Sequence, residues 1–217
     1  MAEYPIIFSG PMVRAILDGQ KTITRRICKK AHNGFSLAGA VYPARERGWI
    51  SWWPGNHAGL AEFTKKQYRE GWSCPYGSVG DTLWVRETWT MDPNDYGYPQ
   101  EQWRNFVAYR ADDPEQKVTH WGWRPSIHMP RWACRLRLRI TSVRPERLQD
   151  ITENDAEAEG VDYLPAAPAA LDHRTAFAGL WDSLNAKRGH PWSDNPWVWV
   201  IGFSVCEQEM QDENQIQ

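Results

Sequence analysis

Apolar residues in this chain come in short runs punctuated by glycine and proline, a pattern of brief strands joined by turns with few helices. Residues 4–8 (YPIIF) form one such run, closed by Ser9-Gly10-Pro11, and read as a strand. Pro11 suits the first turn of a helix, where its missing N–H is harmless. Residues 12–17 then carry apolar side chains at helical spacing, with Asp18-Gly19 as the stop. Residues 20–27, rich in β-branched side chains, predict a second strand. Val79-Gly80-Asp81 marks a turn before a strand over 82–87, and residues 106–110 predict another. The cleanest strand spans 133–143. There Leu136, Leu138 and Ile140 face one way and Arg135, Arg137 and Arg139 the other, so one side of the sheet is buried and the other is wet and basic.

Further on, Thr152 and Asp155 fit a capping box, with Gly160 placed to end the short helix that follows. Residues 175–186 predict a second amphipathic helix. Residues 196–205 are apolar on both faces, as in a central or barrel-closing strand. Residues 29–79 keep no sustained period, so they read as a functional insertion with one short helix near 60–69. Residues 90–104 form a second, smaller loop, and residues 207–217 a polar, acidic, disordered tail. The expectation is a single α+β domain over 1–206, a small mixed β-barrel of about five to six strands with flanking helices and two irregular insertions.

Composition changes this picture in two places. The 217 residues include 14 Trp, far more than a core of this size needs, so most fill the interior and some wall a site. The net charge of -2 excludes a bulk polyanion binder and leaves only local basic patches for nucleic acid. Cys28, Cys74, Cys134 and Cys206 are scattered, with no metal-ligand spacing to any of the six His, which argues against zinc and a disulfide framework. No metal or cofactor is expected. The first residues carry no basic, long apolar leader and no run reaches membrane-spanning length, so a cytoplasmic protein with no membrane partner is expected.

The chemistry concentrates in residues 19–26 (GQKTITRR). Glu159 falls in the last turn of its predicted helix, where the dipole disfavours a carboxylate unless a cation faces it; Lys21 is a candidate. Arg14, Lys21, Arg25, Arg26, Lys29 and Lys30 form a local basic cluster. In a regular strand Lys21 and Thr24 point to opposite faces, so they converge only if Lys21 sits in the turn after Gly19 or a bulge intervenes.

Residues 16–26 resemble the G-x-K-T-x-T-x-R signature of the ASCH domain family, which belongs to the PUA-like superfamily of small β-barrels. Gly80-Asp81-Thr82-Leu83 resembles its G-D-x-L strand, residues 152–160 its T-E-x-x-A-x-x-E-G helix, and residues 197–203 its closing strand. The two insertions have no counterpart in the smallest members; longer chains of this layout resemble those of phages and prophages. Similarity to the small N4-acetylcytidine amidohydrolases of the family implies a site of Lys21, Thr24 and Glu159. A lysine with a pKa lowered by burial would activate the Thr24 hydroxyl, and the carboxylate would orient the lysine. Arg14, Thr22, Arg25, Arg26, Trp84, Arg86 and Arg137 would bind substrate or nucleic acid. The partner is then a modified nucleoside or nucleotide, or RNA or DNA. The alternative is a module that reads a modified base without chemistry, or a phage factor acting on host nucleic acid or defence. His128, Trp132, Asp182, Asn185 and Trp192 are weaker candidates.

Overall fold

The apolar run at the N-terminus forms strand β1 (Glu3–Ile7), and Pro11 sits in the first turn of helix α1 (Gly10–Leu17). The computed structural model describes residues 1–28, 42–43, 49–50, 74–92, 94, 97–113, 122–161 and 172–206. The helix expected near 60–69 and the tail at 207–217 lie outside them. Strand β2 (Ile23–Ile27) starts three residues later than the β-branched pattern suggests, because residues 20 and 21 are held in a turn. A two-stranded ribbon, β3 (Tyr42–Pro43) against β4 (Trp49–Ile50), stands in the first insertion.

Strand β5 (Thr82–Arg86) is followed by the small ribbon of β6 (Trp89–Thr90) and β7 (Ala108–Tyr109). Only these two residues of the strand expected over 106–110 form, since a 3₁₀ helix, Gln100–Phe106, runs up to it. The long strand β8 (Arg137–Arg147) begins later and ends later than the alternation predicts; a 3₁₀ turn at Arg131–Ala133 occupies its expected start. Helices α2 (Glu153–Ala158) and α3 (His173–Asn185) precede the last strand, β9 (Trp197–Val205).

These strands make a mixed five-stranded sheet in the order β1-β5-β8-β9-β2. β1 and β5 pair in parallel and the rest antiparallel. The layout is α+β as expected, but among the described residues no ladder joins the edge strands β1 and β2, so they form no closed barrel. A side chain spans that gap: Arg26 Nη2, from β2, donates to the Ile7 carbonyl at the end of β1 (2.7 Å).

Two cores lie on opposite faces of β9, which explains its apolar character throughout. Trp199, Ile201 and Phe203 join Phe8, Ile16, Leu83, Leu138 and Ile140 on the α1 side. Val198 and Val200 join Leu148, Ile151, Phe177 and Trp181 on the side of α2 and α3. Between Ile140 and Ser142 the β8 register shifts; the extra residue reverses side-chain parity, so Val143 enters the first core beside Leu138 and Ile140. Gly202 faces this irregularity, and a Cβ on it would lie 2.4 Å from Ser142 Oγ. A third cluster gathers Trp89, Met91, Met129 and Cys134 with partly buried Trp84, Trp103 and Trp132. Much of the tryptophan excess is therefore interior packing.

Candidate functional site

Helix α1 stops where Gly19, at φ +73°, reverses the chain in the left-handed region that glycine adopts without strain. The N–H groups of Gln20 and Lys21 both return to the Ala15 carbonyl, at 2.8 and 2.9 Å. Lys21 thus belongs to the turn, and strand alternation does not govern its direction.

The facing wall is the end of α2. Thr152 Oγ1 accepts the Asp155 N–H (3.1 Å) to start the helix, and Glu159 is its C-cap. Gly160, at φ +74°, turns the chain away. A Cβ there would lie 3.0 Å from Ala15 Cβ and 3.2 Å from Lys21 Cβ. Glycine is what lets the helix end rest on the α1–β2 turn, where the Thr22 N–H bonds to the Ala158 carbonyl (2.9 Å).

Across this contact Lys21 Nζ donates to Glu159 Oε2 and to the Glu159 backbone carbonyl, each at 2.7 Å. That carbonyl is among those a helix C-terminus leaves without a partner, and a cation suits the negative end of the dipole. Lys21 is 2% exposed and Glu159 3%. Burial pulls the Lys21 pKa below the ordinary lysine range; Glu159 opposes the fall, while Arg26 and Arg25 add to it.

The two neighbouring arginines of β2 meet opposite fates. Arg25 shares a face with Ile23 and Ile27 and is buried among Asp155 Oδ2 (2.7 Å), Glu146 Oε1 (2.9 Å) and Glu159 Oε1 (3.4 Å). Arg144 ties Glu146 and Asp155 together from outside, at 2.9 and 3.1 Å. Burial works against the Arg25 charge, but the carboxylates, Glu159 foremost, outweigh it and raise the pKa. Arg25, expected to bind substrate, is committed through both Nη atoms to carboxylates and braces Glu159, while its Nε is buried without a partner. Arg26 points to the other face. Its Cζ lies 5.0 Å from the centre of the Phe8 ring, and Lys21 Nζ lies 5.7 Å from that same ring. Burial lowers the Arg26 pKa, partly offset by Tyr76 and Glu159.

Thr24 is buried on the same β2 face as Arg26, opposite Ile201 in β9. Among the described residues its hydroxyl makes no hydrogen bond to Lys21 or Glu159. Of the expected trio, the structure joins Lys21 to Glu159 and sets Thr24 nearby in the chain without a direct link.

The other expected binding residues separate. Arg14 Nη1 is bonded to the Ala111 carbonyl (2.8 Å), and Thr22 is exposed with its backbone engaged. Trp84, Arg86 and Arg137 belong to the outer face of β5 and β8, where Trp84 pairs with Arg137 in register and lies beneath Arg86 and Arg131, at 5.4 and 5.7 Å. His128 is exposed in a 3₁₀ turn, and Trp132 packs edge-on against Trp89 and Trp103. Asp182 Oδ1 accepts the Trp192 N–H (2.6 Å), which ties α3 to the turn before β9, while Asn185 donates to the Trp181 carbonyl (3.2 Å) within the helix itself.

Phe8, Glu146 and Asp155 are the site residues that pattern reading missed. Asp155 carried a signal as the capping-box acid, but its carboxylate serves Arg25 and Arg144 instead of the helix start. Phe8 looked like the last residue of an ordinary strand.

No protein-family model and no curated protein matches this chain. Among solved structures it is similar to an ASCH domain from Lactobacillus crispatus JV V101, at 12% identity and a TM-score of 0.39, over 94% of this chain and 79% of that one. It is also similar to a DUF984 protein from Enterococcus faecalis V583, at 12% identity and a TM-score of 0.38, over 93% of this chain and 70% of that one. At these scores the likeness assigns neither family nor function.

Proposed function

We propose that this protein is an amidohydrolase that removes an acyl group from a modified nucleoside of the N4-acetylcytidine type. The observation that carries the reading is the buried Lys21–Glu159 pair, with Lys21 shifted toward its neutral form. A lysine whose pKa is lowered by burial gives up its proton more readily than a free lysine, which suits it to general-base work. Once it has given up its own proton, Lys21 takes the proton of the Thr24 hydroxyl as Oγ1 attacks the amide carbonyl. The tetrahedral adduct collapses as the ammonium returns that proton to the leaving exocyclic nitrogen. Water, its proton taken by Lys21, then attacks the acyl–threonine ester, and the ammonium returns that proton to the leaving Thr24 Oγ1 as the carboxylic acid departs, which restores both groups. Glu159 fixes the lysine, and Arg25 fixes Glu159. The step requires Thr24 Oγ1 and Lys21 Nζ to come within hydrogen-bond reach on substrate binding, as catalytic hydrogen bonds often tighten only in the complex. The motif resemblance to the ASCH family supports the same assignment.

The test is acetate release from N4-acetylcytidine. Lys21→Ala, Thr24→Ala and Glu159→Ala are each expected to abolish it while a matched surface substitution leaves it unchanged. A second reading, a nucleic-acid-binding module without turnover, is favoured by the arginines around Trp84 on the outer sheet face. No turnover across acylated nucleosides, together with RNA or DNA binding that weakens steeply with salt, would decide for it.

A further inference from the structure

Arg25 and Arg26 are adjacent in sequence, and the comparison between them isolates an unusual group. Arg25 has carboxylates around it on the α2 side. Arg26 has, among the described residues, no carboxylate within ion-pairing distance. Among the described residues its one side-chain hydrogen bond runs from Nη2 to the Ile7 carbonyl, and its Nε, like that of Arg25, is buried with no partner. Arg26 is only partly buried as a residue and its Nη2 contact is open to solvent, so with an aromatic face and one carbonyl as its partners the fork keeps donors that an incoming anion can reach. Its place is not arbitrary. Arg26 shares the β2 face of Thr24 and the Phe8 ring of Lys21, so its uncommitted donors border the reactive edge of the candidate site.

Resting on the reading of that edge as the reactive one, we propose that Arg26 is an anion subsite that takes a phosphate oxygen of the substrate. The ligand is then a phosphorylated nucleoside rather than the bare nucleoside. Arginine suits this role because its planar donor fork matches phosphate geometry, and the charge stays on the guanidinium even where burial lowers its pKa. The phosphate comes either from a free nucleotide or from the backbone of a strand. The Nη2 bond to Ile7 makes Arg26 a tie between the two sheet edges as well, but a tie alone does not need the charge.

Calorimetric titration separates these roles, with cytidine, cytidine 5′-monophosphate and a short cytidine-containing oligonucleotide as probes. Wild-type protein is expected to bind at least one phosphorylated probe about tenfold tighter than cytidine, a modest return for a charge-assisted contact. Preference for the monophosphate identifies a free nucleotide, and preference for the oligonucleotide a strand. Arg26→Gln is expected to erase the preference while cytidine binding is retained, and Arg26→Lys to keep part of it. Equal wild-type affinity for all three probes, or no binding of any, overturns the proposal, even if the Gln variant does not fold. So does a phosphate preference that survives in folded Arg26→Gln. Failure of the hydrolase reading looks different: no acetate release from acetylated probes, with the phosphate preference and its dependence on Arg26 intact.

Discussion

Removing either member of the Lys21–Glu159 pair has unequal consequences, because Glu159 answers two cations and Lys21 only one carboxylate. Lys21→Met leaves Glu159 paired with Arg25. Glu159→Gln leaves Lys21 buried without its counter-charge, and such a break typically costs about 3–5 kcal/mol. Urea unfolding is expected to rank Glu159→Gln as the more damaging; the opposite order would mean that Lys21, and not Glu159, organises the cluster. The same titrations carry a pH signature. The folded-state pKa of Lys21 lies below its unfolded value, so between the two the unfolded chain holds one more proton, and stability rises with pH across that window. Lys21→Met is expected to lack this rise. Lys21 and Glu159 were legible as candidate partners because a carboxylate at a helix C-terminus calls for a cation. The contrast between Arg25 and Arg26 was not. Two identical neighbours on one strand differ only by which face holds Glu146, Asp155 and Glu159, and that depends on segments more than a hundred residues away.

At the level of elements, the site depends on how closely the end of α2 meets the α1–β2 turn. Gly160→Ala forces a β-carbon into the space of Ala15 and Lys21 on a backbone already in the left-handed region. The expected loss is about 1–3 kcal/mol of stability, the usual scale for backbone strain. Activity should fall further than stability alone accounts for, since the Lys21–Glu159 contact moves with the helix. Gly19→Ala is the control: its φ is equally positive, but no atom lies within contact distance of its β-carbon position. Equal effects of the two substitutions on activity would overturn the close-approach argument. Both glycines were recognisable as helix stops. The later start of β2 was not, since β-branched composition says nothing of the two N–H groups that fold back onto Ala15. The bulge in β8 was hidden for a related reason: alternation through Ile140 is flawless, and the parity change shows only in its pairing with β9.

For the whole molecule, the first insertion leaves and re-enters at one place. Cys28 and Cys74 are both buried in the first core, and burial pushes the Cys74 thiol up to about 12, which keeps it unreactive at neutral pH. The sheet and both helical walls of the site are built from residues outside the segment between them. Because loop closure costs only about 0.6 kcal/mol per doubling of length, replacing residues 30–72 with a short Gly/Ser linker is expected to preserve a single cooperative unfolding transition. A broad or absent transition by circular dichroism would show that the insertion completes the core. The α+β class was readable from the order of strands and helices. The open edge between β1 and β2 was not, because apolar strands read alike whether a sheet closes or stops.

The salt bridge between Lys21 and Glu159 spans 138 residues of chain, and those from Arg25 to Glu146 and Asp155 span 121 and 130. Synthesis runs from the N-terminus, so Lys21 and Arg25 leave the ribosome long before any of these carboxylates exists. Strand β1 likewise waits for β5, and β2 for β9, which follows it by about 170 residues. Contacts this distant also slow folding after release, since the chain must be closed over a long span before they form. The cationic half of the candidate site is thus made well before the carboxylates that complete it, and through that interval its cations are held by water alone.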